Sequence, residues 1–98
     1  MKNTYVIGLS PIQLLNIQEH LDYDKEEFII WRVMYGVPFE EATMIVGLGE
    51  AKRVRQEIQD RYDEILVMNS SVLGSILDGN DFDPMQLHIY RVVLREVE

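Results

Sequence analysis

The stretch KEEFIIWRVMY, residues 25–35, decides which fold class the sequence predicts. Its second half is apolar at nearly every position, which is typical of a helix buried on all sides. Gly36 follows directly and is a common helix end. We therefore expect a central buried helix over about 25–35, with Trp31 in the core. Its start matches a capping box with a hydrophobic staple, formed by Tyr23, Asp24, Glu27 and Phe28.

Two further helix starts combine a capping residue, a proline at the first helical position and a glutamine that reaches back to the cap. These are LSPIQL at residues 9–14 and FDPMQL at residues 82–87. They predict a first helix over about 11–21 and a last helix over about 84–97. The alternative at the two chain ends is a pair of strands, because residues 4–9 (TYVIGL) and 87–94 are rich in strand formers.

The middle of the chain predicts the remaining helices. A short third helix over about 38–46 should end at Gly47, which we expect at a tight turn. A long fourth helix over about 50–67 and a short fifth over 71–77 should follow. The fourth carries an apolar stripe at helical spacing: Ala51, Val54, Ile58, Tyr62, Ile65 and Leu66. The sequence thus predicts an all-α fold, a single domain over 1–98 with five to six short helices, one long helix and a possible short N-terminal strand or arm.

Composition limits the function classes. The chain has no cysteine, nine basic and seventeen acidic residues, and a formal net charge of −8. No apolar run approaches the roughly 18 residues that span a membrane, and no secretory signal is apparent, so we expect a cytoplasmic protein. His20 and His88 each lack a second ligand at metal-binding spacing. No catalytic constellation, metal site or cofactor motif is recognised, which predicts a protein that is not an enzyme.

Residues 24–66 include a stretch, YGVPFEEATMIVGLG at 35–49, followed by a basic segment. Two apolar-patterned segments around a glycine turn are typical of a helix-turn-helix. The stretch resembles the helix-turn-helix of the sigma-factor C-terminal domain and of related small phage and bacterial regulators. That resemblance implies a DNA-binding transcription regulator, with DNA contacts from Lys52, Arg53, Arg55 and Gln56.

The function that we favour from the sequence is different, because a net acidic chain is repelled by a line of phosphates. We expect a small acidic regulatory or inhibitory protein that binds another protein with a basic surface. A phage or mobile-element origin would suit that role, and a homodimer is possible. The candidate partner-binding residues are acidic: Asp22, Asp24, Glu26, Glu27, Glu40 and Glu41.

Overall fold

A mixed β-sheet with an α-helix packed on it forms the fold in the computed structural model, which describes residues 2–69 and 82–93. The predicted all-α bundle is therefore wrong. The strands within these ranges are β1 Thr4–Ser10, β2 Gln13–Asp22, β3 Glu27–Val37, β4 Ile45–Val46, β5 Leu66–Asn69 and β6 His88–Arg91. The helix α1 is Leu48–Asp60, and three short 3-10 turns lie at Phe39–Glu41, Tyr62–Glu64 and Pro84–Gln86.

The sheet is built around β1, β2 and β3. β2 and β3 form a long antiparallel hairpin, and β5 adds to β3 in parallel after the chain has passed through α1. β4 and β6 both pair with β1, at opposite edges, since Tyr5 pairs with both Ile45 and Arg91. The pairing of β1 with β6 confirms the strand alternative for residues 4–9 and for His88–Arg91.

The central stretch 25–35 belongs to a turn and to β3 instead of a helix. Ile30, Val33 and Tyr35 are buried in the main core, on the face of the sheet that α1 covers. An irregularity in the β2–β3 register accommodates Trp31, whose neighbours Ile30 and Arg32 pair with consecutive residues of β2. A strand with apolar residues on both faces is as continuously apolar in sequence as a buried helix. Trp31 is 40% exposed, so its predicted burial is wrong.

Two of the three predicted helix starts are hairpin turns, so the predicted first and second helices are wrong. Pro11 and Ile12 form the turn between β1 and β2, where Ser10 Oγ donates to Gln13 Oε1 at 3.2 Å. The fixed φ of proline suits the first central position of a type I or type II turn.

The second of these turns joins β2 to β3. Its side-chain contact is a capping-type hydrogen bond, in which Asp22 Oδ1 accepts from the Asp24 amide at 3.0 Å. Glu26 then takes a left-handed conformation with φ of 54° and returns the chain into β3. Serine and aspartate side chains form local hydrogen bonds in turns as well as at helix starts, which explains the wrong prediction.

The third predicted start is a genuine cap on a very short element. Asp83 Oδ1 accepts from the Met85 amide at 3.0 Å, with Pro84 in the first position. The 3-10 turn ends at Gln86 and β6 follows, so the predicted last helix is wrong. The predicted third helix is also wrong, because Phe39–Glu41 is a 3-10 turn and Ile45–Val46 a strand. The predicted fifth helix, 71–77, lies outside the described residues.

The long fourth helix is present in a shorter form, as α1. Its predicted stripe is confirmed at Ala51, Val54 and Ile58, which are all buried. The helix α1 ends at Asp60, so Tyr62, Ile65 and Leu66 of the predicted stripe lie outside it. Leu66 is an exposed residue of β5. Gly47 precedes α1 with φ of 93°, which confirms the tight turn expected there.

The apolar residues form a core on each face of the sheet. The larger core lies between the sheet and α1. The smaller one lies around the 3-10 turn Phe39–Glu41 and contains Val6, Leu14, Val37 and Ala42. The second core covers the end of the sheet near β1, whereas on the same face of the β2–β3–β5 end Trp31, Leu66 and Met68 are exposed.

Thr43 connects the loop before β4 to β2. Its amide donates to the Leu15 carbonyl at 3.1 Å. Its hydroxyl accepts from the Ile17 amide at 2.7 Å and also contacts the Ile17 carbonyl at 3.3 Å. The Thr43 side chain therefore makes the hydrogen bonds to the β2 backbone that a neighbouring strand would otherwise make.

We expect Thr43→Val to destabilise the protein by about 1–3 kcal/mol, because the Ile17 amide loses its acceptor in a partly buried place. Thr43→Ser keeps the hydroxyl and is the matched control, with a smaller expected cost. Urea denaturation followed by circular dichroism measures both. Equal stabilities for the valine and serine variants would contradict this assignment of the hydroxyl.

Candidate functional site

The face of the β2–β3–β5 sheet opposite α1 exposes large apolar side chains. Because side chains alternate between faces along a strand, residues paired with Arg32 and Met34 on β5 share their face. Those residues are Leu66 and Met68, which are 57% and 40% exposed. Trp31 lies beside Arg32 on the same face. We call this surface the open face: Trp31, Arg32, Met34, Leu66 and Met68.

Arg32 lies at the centre of the open face and is half-buried. Its guanidinium lies over the Trp31 ring, 5.4 Å from the centroid, and one terminal nitrogen is 3.7 Å from Met34 Sδ. His20 completes the aromatic part, with its ring centroid 6.4 Å from that of Trp31. The Nε atom of Arg32 is buried and has no hydrogen-bond partner in residues 2–69 and 82–93.

The six acidic residues predicted to bind a partner occupy two places. Asp22, Asp24, Glu26 and Glu27 lie in or beside the turn at the tip of the β2–β3 hairpin. Glu40 and Glu41 belong to the 3-10 turn after β3.

These two acidic groups lie at opposite ends of the open face. Asn16 of β2 lies at the end of the open face next to Glu41, because its Nδ2 donates a hydrogen bond to the Glu41 carbonyl at 2.7 Å. Asp22 lies six residues further along the same strand, about 20 Å away at the usual rise of an extended strand. Between them, Gln18 pairs with Arg32. The structure therefore presents a largely apolar face with Arg32 at its centre and carboxylates at both ends.

The cations predicted to read DNA do not form a recognition helix of a helix-turn-helix. The segment before α1 is a 3-10 turn and a strand, so the first helix of that motif is absent from residues 37–46. Lys52 is exposed, Arg55 is half-buried, and Gln56 Nε2 donates to Asp60 Oδ1 at 2.8 Å. The helix-turn-helix interpretation is wrong.

Arg53 is held within the protein by three carboxylates. It bonds Glu50 on its own helix turn, Glu57 at 3.0 Å and Glu19 of β2 at 3.4 Å. The hydrogen bond to Arg53 lowers the pKa of the Glu50 carboxyl, and the same contact raises the pKa of Arg53. These ion pairs join α1 to the sheet and leave Arg53 poorly placed to neutralise phosphate.

A groove of about 320 Å³ lies between α1, β2 and β4, with Ile17, Thr43 and Val54 among its lining residues. Its two carboxylates, Glu19 and Glu50, are the ones already paired with Arg53. Among its described lining residues, the groove therefore offers no unpaired carboxylate that would orient a ligand.

Within residues 2–69 and 82–93 no group of three or more histidine, cysteine, aspartate or glutamate side chains could hold a metal ion. No helix in those ranges is both long and apolar enough to cross a membrane. Comparison with protein-family models, with curated proteins and with solved structures found no match.

Sequence reasoning missed the open face because it assigned Trp31 and Leu66 to helical core positions. One signal could have indicated it. Arg32 interrupts an otherwise apolar run, directly after the only tryptophan of the chain. A cation at that position is difficult to bury on all sides of a helix, but on a strand it needs only one accessible face.

Proposed function

We propose that this protein acts as a regulatory or inhibitory factor by binding another protein through the open face. The observation that carries the proposal is the exposure of Trp31, Leu66 and Met68 around a half-buried arginine on one sheet surface. Tryptophan, methionine and arginine are enriched at the centres of protein interfaces. Large contiguous apolar patches on a protein surface commonly mark such sites.

The acidic ends of the open face define the partner further. The side of the partner that docks on the open face carries an apolar centre with basic groups on either side, about 20 Å apart if they meet Asp22 and Glu41. The carboxylates at the ends steer the encounter, while the apolar centre holds the complex. By binding in this way, the protein would inhibit its partner by covering a functional surface of that partner.

The test begins with a partner captured from the native host on tagged wild-type protein and continues with purified components. We expect Trp31→Ala to weaken the affinity by about 30-fold or more, the effect of removing an interface anchor of about 2 kcal/mol. Met68→Ser should weaken it several-fold. Met85→Ser is the matched control, since Met85 is 69% exposed and lies on the 3-10 turn Pro84–Gln86, away from the open face.

Circular dichroism and urea denaturation must show that these variants remain folded. A partner whose affinity responds equally to Met68→Ser and Met85→Ser does not use the open face. Changing Glu40 and Glu41 to lysine should slow association and reduce its dependence on salt, with little effect on dissociation.

A further inference from the structure

We infer that Arg32 is an anchor for a carboxylate side chain of the partner, at the centre of the open face. This inference rests on the proposed function and names the chemistry of the contact. Among the described residues, the guanidinium of Arg32 has no carboxylate partner, and its polar and ring contacts are with the Trp31 ring and the Met34 sulfur. By contrast, Arg53 and Arg61 both pair with glutamates.

That Arg32 has no ion pair within residues 2–69 and 82–93 is significant, because the chain has nearly two acidic residues for every basic one. A guanidinium that is partly removed from water loses solvation, and an unmade hydrogen bond at Nε adds to that loss. Stacking on Trp31 offsets a part of the loss. A carboxylate that accepts from the terminal nitrogens would offset more, because the guanidinium fork matches its two oxygens.

The surroundings of Arg32 also limit which class of molecule can supply the carboxylate that binds it. The acidic groups at both ends of the open face repel a polyanion such as a nucleic acid strand. Arg32 adjoins the apolar side chains of Leu66 on β5 and Trp31 in β3, and on its β2 side it pairs with the uncharged Gln18. The ligand class is therefore a single aspartate or glutamate next to apolar side chains in the partner.

Two end-blocked tripeptides test this, acetyl-Leu-Glu-Leu-amide and its isosteric control acetyl-Leu-Gln-Leu-amide. Both are titrated to about 20 mM at low ionic strength against the isotope-labelled full chain. The nitrogen–hydrogen resonances of the Arg32 Nε and the Trp31 indole report binding. We expect the glutamate peptide to bind about five-fold more tightly than the glutamine peptide, as a charge-assisted contact at a partly exposed site implies.

Arg32→Gln should abolish that preference, and Arg32→Lys should keep a part of it. Arg91→Gln is the control, because Arg91 is exposed on β6 and its loss should leave the preference unchanged. N-acetyl-leucine, which offers a terminal carboxylate instead of a side chain, should bind more weakly than the glutamate peptide.

Equal binding of the two tripeptides, binding of neither, a preference that persists in Arg32→Gln, or tighter binding of N-acetyl-leucine would each overturn the inference. Equal binding with a shifted Trp31 resonance would still leave the open face as a docking surface. The proposed function is judged separately, by the effect of Trp31→Ala and Met68→Ser on the captured partner.

Discussion

Gly8→Val should destabilise the protein by about 3 kcal/mol, at the upper end of the usual cost of overpacking. A Cβ at Gly8 would lie 2.6 Å from the Gln13 carbonyl oxygen, 2.8 Å from Leu14 Cδ2 and 2.9 Å from Leu14 Cα. Two of these atoms belong to backbone, so a side-chain rotation cannot relieve the contact. The β1–β2 register shifts between Gly8 and Ser10, which shows that the strands approach each other irregularly here.

Gly49→Ala is the matched control, because an added Cβ there meets no atom within 4 Å. Gly49 is the second residue of α1, so alanine should stabilise the helix by up to about 1 kcal/mol. Urea denaturation of the two variants and the wild type gives the comparison. If Gly8→Val unfolds at the wild-type denaturant concentration, β1 and β2 are not in the close contact described.

Ile58→Ala should cost about 2–4 kcal/mol, within the range for truncating a fully buried aliphatic side chain. Ile58 is 0% exposed and lies in the core between α1 and the sheet, together with Val33 and Ala51. Alanine would remove three carbon atoms from the contact by which the helix is attached to the sheet.

Lys52→Ala on the same helix is the control for Ile58→Ala. Lys52 is exposed, so we expect a change within about 0.5 kcal/mol. Thermal or urea denaturation measures both variants. If Ile58→Ala and Lys52→Ala lowered the free energy of unfolding by similar amounts, α1 would not pack on the sheet through Ile58.

The turns of this protein could be located from sequence, although their type could not. Pro11, Asp24 and Pro84 all mark places where the chain changes direction. The polar residues around them form local hydrogen bonds at the start of a helix and in a hairpin turn alike. Only the pairing of the strands on either side of each turn shows which one forms.

The candidate site could be predicted only in part. The acidic residues are at the surface as expected, at the hairpin tip and in the 3-10 turn. Their arrangement at two ends of an apolar face follows from the β2–β3 register, which local sequence does not encode. Similarly, the pairing of Arg53 with Glu19 spans 34 positions of the chain.

The sequence by itself determined the helical stripe of Ala51, Val54 and Ile58, the left-handed turn at Gly47 and the acidic charge. These features depend on periodicity, backbone freedom and composition, which are local properties. The tertiary structure decided that residues 27–37 form a strand, since a continuously apolar segment suits a helix or a strand equally. It also decided the exposure of Trp31, because the register irregularity opposite β2 and the absence of α1 from that face place the ring at the surface.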